Sequence, residues 1–84
     1  MTHELKILPK YYNEIRQGKK SFEIRKNDRD FKEEDVVILK EFVDDDYTGR
    51  YIKAIINYIF HGGSYGLEKG YCVFSMRVYA YGCE

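Results

Sequence analysis

Residues 3–26 read HELKILPKYYNEIRQGKKSFEIRK and carry the clearest local signals in the chain. Apolar residues alternate with charged ones over residues 3–8, which predicts a short strand. Pro9 suits the first turn of a helix, and residues 9–17 predict a two-turn helix because tyrosine and isoleucine recur on one face. Residues 20–26 alternate again, so they predict a second strand with one apolar and one charged face.

Three further strands are predicted downstream. Residues 36–43 form an apolar run typical of a largely buried strand. Residues 50–60 alternate over the longest stretch, which favours a central strand, and residues 71–81 alternate once more. The segment 44–49 predicts a hairpin loop, and the glycine-rich segment 61–70 predicts a flexible loop.

These elements predict an α+β fold of one helix and five strands. A chain of 84 residues has room for one small core, so we expect a single domain over residues 1–84. A sheet this short hides its apolar face best by curling on itself, which predicts a small five-stranded β-barrel with one short N-terminal helix. Tyr11 or Tyr12, together with Tyr58, is expected to belong to the core.

The charges are balanced overall but unevenly distributed. Lys and Arg total 14, as do Asp and Glu, which disfavours a purely electrostatic nucleic-acid binder. Residues 1–32 nevertheless carry nine basic and five acidic side chains, whereas residues 33–48 carry one basic and seven acidic. Any nucleic acid is therefore expected to approach from the side of the predicted helix and of the charged residues 18–26 that follow it.

The sequence gives no indication of a membrane segment, a metal or a cofactor. No stretch approaches the roughly 18 apolar residues of a membrane span, and the first residues lack an apolar signal core, so we expect a cytoplasmic protein. The two cysteines are too few for a disulfide scaffold or a zinc site; Cys72 is predicted to be buried and Cys83 to be exposed. Neither His3 nor His61 has further ligands at suitable spacing, and Asp44–Asp46 read as a solvated turn rather than a calcium loop.

One group of charged residues points to chemistry. Glu23 and Arg25 lie on the same face of the predicted second strand, about 7 Å apart, and Lys20 lies at the turn before them. A carboxylate between two cations stays ionised, and such cations bind phosphate or polarise a carbonyl. The alternative is a solvated strand face with weak ion pairs.

The same segment resembles a known family. Residues 18–25, GKKSFEIR, have the form G-x-K-x-x-E-x-R, which resembles the signature of the ASCH domains of the PUA-like superfamily. The blocks at 3–7, 22–31, 47–50 and 70–71 resemble the DUF3850 family within that group. The resemblance covers nearly the whole chain.

The resemblance implies a small β-barrel with a cleft beside the motif, in a superfamily that binds RNA or modified nucleosides. Lys20, Glu23 and Arg25 match the motif residues that line this cleft. We therefore expect an RNA- or nucleotide-binding module. Further ligand-binding candidates are cations that attract phosphate and tyrosines that stack on bases, namely Lys19, Lys26, Arg29, Tyr65 and Tyr71.

Two other functions stay open. Some ASCH proteins are amidohydrolases that remove the acetyl group from N4-acetylcytidine with a lysine, a threonine and a glutamate. In this sequence Lys20 matches the lysine, but Glu23 stands where the threonine is expected. The nearest hydroxyl group belongs to Ser21. The connection before the last strand contains only one glutamate, Glu68. Lys20, Ser21 and Glu23 would be the catalytic residues of such an enzyme. A third hypothesis is a protein-interaction module that uses an exposed tyrosine-rich edge.

Overall fold

The computed structural model describes all 84 residues and contains the predicted elements in the predicted order. Its helix begins at Pro9, where the missing N–H costs no hydrogen bond, and buries Tyr12 and Ile15. This confirms Tyr12 as the core tyrosine of the pair. The helix is neither long nor apolar enough to cross a membrane. The elements are β1 (Thr2–Ile7), α1 (Pro9–Arg16), β2 (Phe22–Lys26), β3 (Val36–Val43), β4 (Asp46–His61) and β5 (Tyr71–Cys83).

The five strands form one curled sheet in the order β1-β3-β4-β5-β2. β1 runs parallel to β3, and every other neighbouring pair is antiparallel. β4 is the central strand, as predicted. β1 and β2 are the two edges, and no backbone ladder joins them, so the curling of the sheet is confirmed and its extent is that of a half-barrel.

The core fills the concave side of the half-barrel. Phe31, from the loop after β2, packs between His3 and Phe74, with ring centroids 4.8 and 5.2 Å away. Cys72 is buried, as predicted, and burial raises the pKa of its thiol. The buried apolar side chains come from every element except β2, namely Leu5, Ile7, Tyr12, Ile15, Phe31, Val37, Leu39, Ile52, Ala54, Ile56, Cys72, Phe74 and Met76.

β2 turns its charged face inward and its apolar face outward. Glu23 is 5% exposed, whereas Phe22 is 41% and Ile24 56% exposed. Alternation predicts which residues share a face, and that is confirmed. Alternation does not predict which face points inward, because that depends on the side chains that surround the strand. Here Lys20 and Arg25 provide the partners that allow the Glu23 carboxylate to be buried.

A β-bulge shifts the alternation of β4. Ile56 pairs with Met76, but Tyr58 pairs with Ser75, so one extra residue is inserted in β4. Beyond the bulge Ile59 packs against the core, and Tyr58 is 61% exposed. The prediction of a core position for Tyr58 is therefore wrong, because a two-residue period does not reveal where a bulge interrupts it.

The turn between β3 and β4 is tighter than predicted. Val43 pairs with Asp46, which leaves Asp44 and Asp45 as a two-residue loop with φ values of 53° and 61°. Positive φ at both positions is the signature of a type I′ turn, whose twist matches that of the flanking strands. The remainder of the predicted 44–49 loop belongs to β4.

Replacing the two turn residues by Asn-Gly tests this geometry. Asn and Gly adopt positive φ at lower cost than Asp, so the variant Asp44→Asn/Asp45→Gly is expected to raise Tm by about 2–4 °C. Thermal unfolding followed by circular dichroism measures the change. A lower Tm in the variant would show that the turn is not of type I′.

Candidate functional site

A glycine turn leads the chain from α1 into β2. α1 ends at Arg16, and Gly18 follows with a φ of +77°, which glycine adopts without strain. The N–H of Gly18 donates to the carbonyl of Ile15 at 3.0 Å, and that of Lys19 donates to Glu14 at 2.9 Å. These two bonds form a Schellman cap, which sets the direction in which the motif residues leave the helix.

The three central motif residues lie in contact. The ammonium of Lys20 donates to Oε1 of Glu23 at 2.6 Å, and Nε of Arg25 donates to Oε2 at 3.0 Å. The Glu23 side chain is 6% exposed, and those of Lys20 and Arg25 are 14% and 24% exposed. The carboxylate is thus held between two cations at the edge of the core. Each carboxylate oxygen keeps further acceptor capacity, because it has one partner and two lone pairs.

A hollow of about 490 Å³ opens beside this cluster, and we call it the Lys20 hollow. The Lys20 ammonium lies 5.1 Å from the ring centroid of Tyr11 and 5.3 Å from that of Phe22, within cation–π range. The exposed apolar face of β2 therefore forms part of its wall. Its lining includes Tyr11, Glu14, Lys19, Lys20, Phe22, Glu23 and Ile24.

Two arginines bridge the gap between β1 and β2, which we call the β1–β2 seam. Arg25 donates through an Nη to the carbonyl of Lys6 at 2.8 Å, and Arg29 donates to that of Glu4 at 2.9 Å. They satisfy carbonyls of an edge strand that has no partner on this side. A hollow of about 360 Å³ lies here, the Arg29 hollow, lined in part by Lys6, Arg25, Lys26, Asp28 and Arg29.

The other predicted ligand-binding residues are scattered. Lys19 lines the Lys20 hollow, and Lys26 lines the Arg29 hollow. Tyr71 pairs across strands with Lys26 but lines neither hollow, and Tyr65, 93% exposed, also lies outside both. Ser21 is exposed and lines neither hollow. Tyr11, which the sequence reading treated only as a core candidate, lies at the centre of the site.

A second buried ion pair was missed by sequence reasoning. Glu41 is 2% exposed and accepts two bonds from Arg50, at 2.8 and 2.6 Å, and one from the Thr48 hydroxyl at 2.7 Å. The Arg50 guanidinium also lies 4.3 Å from the ring centroid of Tyr12. The hydrogen bonds from Arg50 outweigh the effect of burial and, with Thr48, lower the pKa of Glu41. This cluster anchors the helix to β3 and β4.

A third polar cluster surrounds Asp35. Its carboxylate shares a 2.8 Å hydrogen bond with His3 Nε2 and accepts bonds from the Met1 ammonium and the N–H of Lys32, each at 3.1 Å. Burial by itself raises the pKa of Asp35, but these hydrogen bonds outweigh it and lower the pKa. The sequence reading considered His3 only as a metal ligand, whereas the structure gives it a carboxylate partner.

Comparison with known proteins places the chain in a family. The model of the family described as "Domain of unknown function (DUF3850)" matches residues 2–76. The chain belongs to this family. The "Uncharacterized 12.9 kDa protein in GpA 3'region" of Escherichia phage P2 is similar to it, with 43% identity over 54 residues. The matched region covers 64% of this chain and 50% of the phage protein, so the chain spans about half the length of that relative.

The DUF3850 match includes every residue of the clusters described above except Met1. It runs from the start of β1 to Met76 within β5. The Glu23, Glu41 and Asp35 clusters, together with the β1–β2 seam, are therefore all parts of the DUF3850 domain.

The lowered pKa values of the two buried carboxylates, Glu41 and Asp35, predict acid sensitivity. The folded protein binds fewer protons at Glu41 and Asp35 than the unfolded chain does. Their stabilisation is thus complete above the ordinary pKa values of 4.5 and 3.8 and is lost as the pH falls through the lowered values. The free energy of unfolding in urea should be nearly constant from about pH 7 to 5.5 and fall below about pH 4.

The variant Glu41→Gln isolates one of these groups. At pH 7 it should lower the free energy of unfolding by about 2 kcal/mol, the scale of hydrogen bonds to a charged group, and it should flatten the acid dependence. The matched control is Glu4→Gln, which removes an exposed pair with Lys40 and should leave the free energy of unfolding within experimental error. An unchanged acid profile in Glu41→Gln would refute the assignment.

Proposed function

We propose that this DUF3850 protein is a PUA-like ASCH domain that binds RNA or a nucleotide-like ligand at the Lys20 hollow. One observation carries the proposal. A buried carboxylate with spare acceptor capacity, Glu23, lies in the wall of a hollow that also contains two aromatic rings and two lysines. The G-x-K-x-x-E-x-R motif and the curled sheet with one helix support the ASCH assignment.

The side chains of the hollow suit the parts of a nucleotide. Tyr11 and Phe22 offer ring faces on which a base can stack. Glu23 accepts hydrogen bonds from amino or ring N–H groups of the base, and Lys20 donates to a carbonyl or ring nitrogen. Lys19, at the rim, attracts phosphate.

Arg25 is proposed to have two roles. It holds the Glu23 carboxylate in place, and from the adjoining hollows, which it lines, it presents donors towards a ligand. Because the Nε of Arg25 already bonds to Glu23, the carboxylate is oriented before a ligand arrives. A site that is ordered in advance loses less entropy on binding.

The variant Glu23→Gln tests this binding site. We expect it to weaken binding of short single-stranded RNA or nucleoside monophosphates about ten- to a hundredfold, because it removes hydrogen bonds to a charged group. Two-dimensional amide NMR titration of the labelled protein measures affinity and location together. In the parent protein the shifts should concentrate on residues 11 and 18–29.

Two further variants keep that test decisive. Glu33→Gln removes an exposed carboxylate that lines none of the hollows, and it should bind like the parent. Lys20→Met keeps an aliphatic side chain next to Tyr11 and Phe22 but removes the positive charge. It provides a second test of the binding site if Glu23→Gln fails to fold. Parent-like affinity in both motif variants, or shifts confined to another surface, would refute the site.

The amidohydrolase alternative receives less support. No serine or threonine lines the Lys20 hollow, so no aliphatic hydroxyl lies there to attack an acyl group. We expect N4-acetylcytidine to remain intact after hours with the protein, as measured by one-dimensional NMR. Release of cytidine and acetate that stops in Lys20→Met would instead establish hydrolysis.

A further inference from the structure

The hollows near the β1–β2 seam share lining residues, and we call the row that they form the groove. A smaller hollow of about 230 Å³ lies between the other two. It shares Tyr11 and Glu23 with the Lys20 hollow, and it shares Lys6 and Arg25 with the Arg29 hollow. β2 alone, with five residues, spans about 17 Å. The groove is therefore longer than a single nucleoside.

The chemistry changes along this groove. The Lys20 end holds aromatic rings and the buried carboxylate. At the other end Lys6, Lys26 and Arg29 have no carboxylate partner.

Two acidic residues also lie at the Arg29 end. Glu4 is neutralised by Lys40, with a distance of 2.7 Å between Nζ and Oε1. Asp28 is then the one unpaired carboxylate there, and it is outnumbered by cations. This end of the groove is suited to an anion, whereas the Lys20 end is suited to a base.

We propose that the groove binds a single nucleic-acid strand across at least one phosphodiester, with a base in the Lys20 hollow and the adjoining phosphate in the Arg29 hollow. The proposal rests on the function proposed above and narrows its ligand from RNA or any nucleotide-like molecule to a linked strand whose phosphate lies in a second hollow. It also assigns a role to Lys6. That side chain lines both the small hollow and the Arg29 hollow, so it borders the path between base and phosphate.

Dinucleoside monophosphates distinguish strand binding along the groove from binding at the Lys20 hollow alone, because they differ from nucleosides by one phosphodiester and one further nucleoside. In amide NMR titrations, the tightest ribo- or deoxyribodinucleoside monophosphate should bind at least tenfold more tightly than its parent nucleosides. The double variant Lys6→Ala/Lys26→Ala should reduce that affinity about tenfold. The slope of log K against log salt should be near −0.7 in the parent protein, as for one phosphate contact, and smaller in magnitude in the variant, which keeps only Arg29 of the three cations.

The control Lys53→Ala/Lys69→Ala removes two positive charges outside the groove and should leave both affinity and slope unchanged. If nucleoside and dinucleoside bind with equal affinity and the amide shifts lie at the Lys20 hollow, the proposal of strand binding along the groove is wrong and the proposed function still holds. If the dinucleoside binds more tightly but Lys6→Ala/Lys26→Ala does not weaken its binding, the proposal of a phosphate in the Arg29 hollow is also wrong. The absence of binding by nucleosides, dinucleosides and longer single-stranded RNA refutes both.

Discussion

The burial of the Glu23 carboxylate is the constraint on which the open half-barrel depends. An ionised carboxylate at the edge of a core is costly unless it is paired and hydrogen-bonded. Lys20 and Arg25 supply that pairing, and Arg25 also reaches across the β1–β2 seam to the carbonyl of Lys6. One of the two cations that neutralise Glu23, Arg25, therefore also ties one sheet edge to the other. No buried side-chain nitrogen or oxygen of the protein lacks a hydrogen-bond partner.

The inward charge on β2 has a consequence on its other face. Because side chains alternate along a strand, placing Glu23 inside places Phe22 and Ile24 outside. Their exposure would be unfavourable on an isolated strand, but both line the Lys20 hollow next to Tyr11. One local inversion thus produces a buried carboxylate and an apolar wall in the same place, which is the combination that the proposed base site requires.

The sequence predicted well those features that depend on local periodicity and chain direction. The order of elements, the helix beginning at Pro9 and the central position of β4 follow from alternation and from turn residues. The contact of Glu23 with Lys20 and Arg25 was also predictable, because strand spacing and a short turn bring them together.

What the sequence could not supply depends on contacts between distant elements. The open edge was missed because barrel closure depends on how far β1 and β2 approach each other in space. The bulge that exposes Tyr58 leaves no trace in a pattern that stays apolar beyond it. The inward position of Glu41 did leave a signal, because it follows Val37 and Leu39 at intervals of two. The sequence does not show, however, that Arg50 supplies a partner for its charge.

Arg25 shows how one residue can serve both the fold and a ligand. A guanidinium carries five N–H donors in a planar fork. One of them bonds to Glu23 and one to the Lys6 carbonyl, so three remain, and the side chain is 24% exposed. Because the two structural bonds fix the plane of the fork, the remaining donors have a set direction at the point where the hollows meet. Loss of Arg25 would remove the bridge and the donors together, whereas Lys6 and Lys26, which make no ion pair, separate binding from folding more cleanly.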